Sequence, residues 1–492
     1  MTATPRSPRS KPPKPDHGAE TNGAAPTVVD RADHSWTVRL WVHPATRSEQ
    51  AKANRKRVPR ISHAAFEPAA GRDPIAILEA QEADRLQHLV PLRHQRMAES
   101  PFAYYRGTPA VMAFDLANAP RTGIQVQASG DAHLSNFGLF ASPERTLVFD
   151  ANDFDETLPG PWEWDVKRLA ASVVIAGRAN GFSATANRQA TMAAVAGYRE
   201  WMSRYAAMGL VEVLYATITA DDVVVAVEAA GRHSGRGGAA RRKALEALFA
   251  KARRRDGMRA FGSLTEIVDG RRVIRDDPPV LTHVAFDTNS TLEQAFNDYR
   301  ASMSESKRDF LQRFRFLDIA LKVVGVGSVG TRCFVIVLQG RDENDALILQ
   351  AKEATNSVLE PYLQATTHAT HGQRVVVGQQ LTQATPDVFL GWIRVAGGRD
   401  FYFRQLWDMK GSVETSLLKP PGLAVYGALC GRALARGHAR SGDAVAISAY
   451  LGASDAFDGA IADFAETYAD VNARDHAAYV AAIEAGQVSL PV

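Results

Sequence analysis

The densest run of chemically capable side chains is Gly130-Asp131-Ala132-His133-Leu134-Ser135-Asn136, followed shortly by Asp150-Ala151-Asn152-Asp153-Phe154-Asp155. Asn136 stands five positions after Asp131, between apolar stretches that read as short strands. That spacing suits phosphotransfer, in which a carboxylate positions the attacking hydroxyl and an amide oxygen meets a metal. Magnesium takes hard oxygen ligands and shares them with phosphates, so one more aspartate, Asp150, Asp153 or Asp155, would complete its shell. Asp, Asn and Ser between strands most often just make turns. So many of them on two neighbouring strand ends fit that use poorly, because clustered carboxylates repel unless a cation or protons intervene.

The second cluster is Gly325-Val326-Gly327-Ser328-Val329-Gly330, then a strand, a turn and the strand holding Lys352 in Gln350-Ala351-Lys352-Glu353. Glycines at this spacing also mark hairpins and bulges. The flanking strands predict a hairpin flap over phosphates rather than the strand-to-helix turn of a dinucleotide site. Lys352 is then expected on the α- and β-phosphates, paired with a helix carboxylate, Glu360 ahead of Glu353. Taken without the flap, Lys352 reads as an edge-strand charge that keeps a sheet soluble. Arg106, beside Tyr104 and Tyr105, suits a phosphate or carboxylate of the substrate, or a structural brace. His133 is expected to orient its loop through a backbone hydrogen bond, and His438 to serve packing.

The stretch GDAHLSNFG…LVFDANDFDETLPGPWEWDVKRLAA resembles the catalytic region of aminoglycoside and choline kinase-type enzymes. The resemblance implies that Asp131 is the catalytic base, that Asn136 and Asp153 hold magnesium, and that Asp165 braces the loop from a helix start. Leu406-Trp407-Asp408 would offer backbone groups to adenine. Asp165 follows Asp153 by only twelve positions, so small-molecule kinases are a closer comparison than protein kinases with long activation loops. In those enzymes the glycine flap and lysine precede the catalytic loop; here they follow it. Circular permutation reconciles the two orders, and YGALCGRALARGHARSG is similar to the helix that normally leads into the catalytic loop. Over most of its length the chain also resembles the bacterial family of domain of unknown function 2252, through RMAESPFAYYRG, VGVGSVGTRCFVIVL, HGQRVVVGQ and DFYFRQLWDMKGS among others. That family implies a shared fold and brings no reaction with it.

The elements that must position these residues read as a mixture of helices and strands. Residues 1–35 are Pro-, Lys- and Ser-rich and are expected to be an unstructured tail. Residues 36–180 should hold helices and the catalytic and metal loops, and 181–315 a helical insertion or body. A five-stranded antiparallel sheet, with the run Arg374–Ala384 as one of its strands and one helix near residues 356–365, is expected within 316–412, and helices within 413–492. The fold class is therefore α+β, and the resemblance implies a protein kinase-like two-lobed arrangement in circularly permuted order, with a small antiparallel sheet lobe and a larger helical lobe.

With 46% hydrophobic and 23% charged residues the composition is that of a globular protein, and no apolar run reaches the ~20 residues that span a bilayer. The N-terminus has no apolar stretch behind its basic start, and the two cysteines form no framework, which together fit a reducing cytoplasm. A net charge of +3 is too mild to argue for nucleic acid, which is not expected as a partner, and the basic run over residues 241–255 reads as a solvated helix face. The function expected is an ATP- and Mg2+-dependent phosphotransferase acting on a small hydroxyl-bearing molecule, with no protein partner indicated. AMP transfer on the same scaffold and a non-catalytic nucleotide-binding pseudokinase are the alternatives.

Overall fold

The computed structural model describes residues 42–234, 238–254, 257–284, 289–406 and 409–491, all within one compact unit. The expected tail over residues 1–35 lies outside the described residues. Four long helices, Trp162–Ala179, Ala184–Ala207, Pro420–Ser441 and Ala456–Glu484, build a helical body. Small residues let Ala184–Ala207 and Pro420–Ser441 approach closely: a Cβ added to Gly197 would stand 2.6 Å from the Ala428 carbonyl oxygen. Trp162 opens the first of these helices fully buried, stacked on Tyr198 with ring centroids 5.6 Å apart.

Four short strands lie against this body: β1 (Gln125–Ala128), β2 (Phe137–Ala141), β3 (Leu147–Ala151) and β4 (Leu158–Pro161). They pair antiparallel, β1 with β4 and β2 with β3. The polar links β1–β2 and β3–β4 therefore emerge side by side. A separate hairpin joins β5 (Thr265–Val268) to β6 (Arg271–Ile274). The remaining strands are β7 (Leu281–Thr282), β8 (Arg315–Lys322), β9 (Cys333–Gln339), β10 (Ala346–Ala354), β11 (Gly391–Arg394) and β12 (Asp400–Gln405). They form one antiparallel sheet in the order β11-β12-β10-β9-β8-β7.

Alternation along β10 sends Leu347, Leu349 and Ala351 into a core with Tyr299, Phe401 and Phe403. Gln350 and Lys352 take the opposite face, toward the body.

The sheet differs from the sequence expectation in two places. A sixth strand, β7, comes from the stretch expected to be helical. Residues 356–365 form turns, whereas the β-branched run Arg374–Ala384, expected as a strand, lies largely within the helix His371–Thr382. Capping and burial explain the second difference. Thr370 accepts from the Gln373 amide at 3.0 Å and Asp400 accepts from the His371 amide at 2.8 Å. Val375 and Val376 are buried against Phe154, Leu390 and Tyr402, and Arg374 donates to the carbonyls of Thr157 and Thr355. β-Branching lowers helix preference by only tenths of a kcal/mol per residue, less than burying a valine returns. None of the described helices is long and apolar enough to cross a membrane.

Candidate functional site

The chain leaves β1 through Ser129 and Gly130. Gly130 takes φ 78°, and a Cβ there would stand 2.5 Å from the Glu156 carbonyl oxygen, so only glycine meets both demands. Asp165, 1% exposed in the first turn of the Trp162–Ala179 helix, accepts from the amides of Ser129 at 2.6 Å and Gly130 at 2.9 Å. His438 Nε2 lies 3.0 Å from the same carboxylate, and the Tyr198 hydroxyl lies 2.9 Å from His438 Nδ1. His438, expected as packing, is thus part of the brace, because a buried imidazole and a buried carboxylate satisfy one another.

Asn136 Nδ2 donates to the Asp131 carbonyl at 2.8 Å, which leaves its amide oxygen as the group able to meet a ligand. The Asn152 amide donates to the Asn136 carbonyl at 3.0 Å and ties the two acidic links together. Arg168, one helical turn after Asp165, places Nε 2.9 Å and Nη2 2.8 Å from Asp131 Oδ1. Its guanidinium lies over the Tyr105 ring, 3.8 Å from the centroid. The His133 ring leaves Nδ1 without a hydrogen-bond partner among the described residues, and Nε2 stands 3.6 Å from Asp131 Oδ2. The orienting bonds come from its backbone, with the His133 amide donating to the Asp131 carbonyl and the Asn136 amide to the His133 carbonyl.

Lys352, 2% exposed, reaches across from β10 to hydrogen-bond Asp155, and its Nζ stands 3.9 Å from Asp153 Oδ2. Tyr402, its partner in the β10–β12 register, donates to the other oxygen of Asp155 at 2.7 Å. The expected partner Glu360 is corrected: it accepts from the Ser357 amide at 3.2 Å and faces Arg374 Nε at 3.9 Å. Without a helix at residues 356–365, nothing carries Glu360 to the lysine. Glu353 turns to the opposite face of β10, where Arg332 and Arg399 pair with it. Asp150, the third metal candidate, is 4% exposed and bound to Arg436, away from the cavities below.

The glycine segment joins β8 to β9 as a bent loop, with positive φ at Gly325 (67°) and Gly330 (86°). Residues 85–96 grip it. The Leu86 amide donates to the Gly330 carbonyl at 2.8 Å, Arg96 Nη1 to Gly325 at 2.6 Å, and Arg85 Nη1 to Val329. A Cβ on Gly327 would stand 3.2 Å from the Arg106 carbonyl oxygen.

Two cavities flank the acidic links. One, of about 470 Å³, lies between sheet and body and is lined by Val324, Gln350, Lys352, Arg404, Leu406 and Leu139, among others. The other, of about 420 Å³, is lined by Asp131, His133, Asp155, Gly327, Arg85 and Glu156, among others. Arg106, Asn136, Asp153, Gly325 and Ser328 belong to both, so the cavities meet at these residues. Gly330 lines neither. Trp407 and Asp408, two of the expected adenine-facing residues, lie outside the described residues, while Leu406 lines the first cavity.

Burial pushes the Asp131 carboxyl above its ordinary range, Asp153 adds to the push, and Arg168 and Arg106 oppose it. Burial works the same way on Asp153, but Lys352 and then Arg404 outweigh it and hold that carboxyl below its ordinary range. Lys352 is held protonated, since Asp153 and Asp155 overcome the burial that disfavours its charge. Burial, with Arg106 and Arg168 nearby, keeps the His133 ring neutral.

The cleft thus gathers Asp131, His133, Asn136, Asp153, Asp155, Gly325, Gly327, Lys352 and Arg106, with Asp165 behind them. Sequence reading passed over Arg85, Arg168, Tyr402 and Arg404. Arg168 had a local signal, its helical spacing from Asp165. The others act through long-range contacts that leave no spacing to read.

Fold and site define an α+β protein with an acid-and-lysine cleft between a six-stranded sheet and a helical body. Residues 85–482 match the family described as an uncharacterized protein conserved in bacteria, DUF2252, and the chain belongs to it. No curated protein and no solved structure matches the chain.

Proposed function

We propose that the protein is an ATP- and Mg2+-dependent phosphotransferase with a kinase-like site in circularly permuted order, acting on a small hydroxyl-bearing acceptor. The observation that carries this reading is Lys352 meeting Asp155 and approaching Asp153 from the sheet, across the cleft from Asn136 and Asp131. From β8 onward the elements run strand, glycine loop, strand, lysine strand, helix and two strands, the order expected of a lobe that grips nucleotide phosphates. The permutation has its own support. The Pro420–Ser441 helix ends against β1, where Ser441 Oγ accepts from the Gln127 amide at 3.1 Å, so it abuts the strand that feeds the Asp131 loop.

The donor set fits magnesium carried by a nucleotide better than a resident ion. Among the described residues no group of three or more His, Cys, Asp or Glu could hold a metal by itself. Asn136 and Asp153 supply two oxygens where both cavities meet, and phosphates would supply others. When bound, magnesium would neutralise phosphate charge. Lys352 and Arg404 line the cavity between sheet and body, and there they would hold the nucleotide's phosphates. Asp131, raised by burial and fixed by Arg168, would orient the acceptor hydroxyl and take its proton. The acceptor oxygen then bonds to the γ-phosphorus as the bond to the β-phosphate oxygen breaks, and ADP leaves.

The test is calorimetry with Mg-ATP together with transfer of γ-labelled phosphate into the small molecules of a bacterial extract. Asp131→Ala is expected to retain ATP binding and lose transfer by about 10²-fold or more. Wild-type protein that does not bind Mg-ATP would overturn the reading. An unlabelled product heavier by AMP, with the label released as pyrophosphate, would assign adenylyl transfer.

A further inference from the structure

The cavity on the Asp131 side contains more charge than the transfer reading uses, and most of it is already answered. Asp131 is paired with Arg168, Asp155 and the more distant Asp153 with Lys352, and Glu353 with Arg332 and Arg399. Burial pushes Glu156 up to about 7, and the carboxyl accepts from the Val358 amide at 2.7 Å. Asp84 is exposed.

Two cations are left over. Arg85 and Arg106 both line this cavity, and each buries a guanidinium Nε that has no hydrogen-bond partner among the described residues. Neither forms an ion pair among those residues. Burial depresses both guanidiniums, Arg85 to about 9, by more than the carboxylates near them offset: Glu82, Glu156 and Asp155 for Arg85, Asp131 and Glu99 for Arg106. A buried cation without an ion pair is unfavourable, and an oxyanion entering the cavity that both side chains line would relieve that cost, with the two-pronged geometry that guanidinium offers.

We propose that this cavity is an oxyanion subsite, in which Arg85 and Arg106 grip a phosphate or carboxylate carried by the acceptor while its hydroxyl faces Asp131. The proposal rests on the transfer reading for the identity of the ligand as acceptor, and it narrows the class to small hydroxyl compounds that already bear an anionic group. Position separates the two arginines. Arg106 lines both cavities and serves the junction where phosphoryl would pass, whereas Arg85 lines only the acceptor side.

The experiment titrates the full chain with inorganic phosphate, 3-phosphoglycerate and neutral glycerol, with and without a saturating non-hydrolysable Mg-ATP analogue. Saturable binding of phosphate and phosphoglycerate is expected, at least about tenfold tighter than glycerol and not displaced by the analogue. Arg85→Met should weaken both anions by about tenfold or more, and Arg85→Lys should recover part of the loss. No saturable phosphate binding, equal binding of glycerol, displacement by the analogue, or unchanged binding in Arg85→Met would each overturn the subsite. Should Arg85→Met not fold, the wild-type competition decides alone. Absence of analogue binding with Arg85-dependent anion binding intact would sink the transfer reading and keep the subsite.

Discussion

Replacing Lys352 by Met tests the central contact directly, since it removes the ammonium and retains much of the buried stem. Removing one partner of a buried ion pair costs about 3–5 kcal/mol, because the other charge stays uncompensated. The side chains of Asp155 and Asp153 keep 24% and 31% exposure, so water can take up part of the loss. A destabilisation of about 2–3 kcal/mol is therefore expected. Asp155→Asn removes the closer carboxylate, and the double variant should recover part of the combined loss, with a coupling of at least about 1 kcal/mol. The assay is urea unfolding of all four proteins followed by tryptophan fluorescence, with Mg-ATP calorimetry alongside. Energies that add within about 0.5 kcal/mol would refute the argument that these groups meet in solution. In calorimetry, Lys352→Met should weaken Mg-ATP by about tenfold or more, and unchanged affinity would remove Lys352 from the nucleotide site.

Asp165→Asn removes the charge from two amide bonds and a histidine contact, and should cost about 3 kcal/mol in urea unfolding; a loss under about 0.5 kcal/mol would mean the brace is not needed. Gly130→Ala combines φ 78° with a clash on the Glu156 carbonyl and should cost about 2 kcal/mol or more, seen as a lowered unfolding midpoint. His63 supplies a pH test away from the cleft. It is fully buried, its Nε2 meets the Tyr450 hydroxyl at 2.8 Å, and among the described residues nothing would accept from Nδ1 once it carried a second proton. Burial, with Lys167 nearby, holds it down to about 3, so below an ordinary 6.5 the unfolded chain binds the proton and the folded chain does not. Stability from this group is thus full above about pH 6.5 and falls as pH drops toward 3; relative to His63→Gln, the wild type should lose about 2–3 kcal/mol between pH 7 and pH 4.5. A pH-independent difference between the two proteins would contradict that assignment.

The sequence determined what short-range chemistry determines. Asp131 and Asn136 lie in one short link, where a five-residue spacing and a left-handed glycine shape the loop before any other part of the chain arrives. Asp165 was reached only through the resemblance to kinase-type enzymes, since the amides it braces lie some 35 residues upstream. The strands around the glycine segment and Lys352 could also be read, since alternation and β-branched residues act locally. Tertiary structure decided what depends on burial between distant segments. It chose Asp155 over Glu360 as the partner of Lys352, because the turns at residues 356–365 leave Glu360 against Arg374. It made a helix of Arg374–Thr382, because capping by Thr370 and Asp400 and a buried valine face outweigh weak residue preferences. It also drew His438 from the far end of the chain onto Asp165 and set Arg85 beside the glycine loop. No spacing encodes such contacts; they follow from which surfaces the folded chain excludes from water.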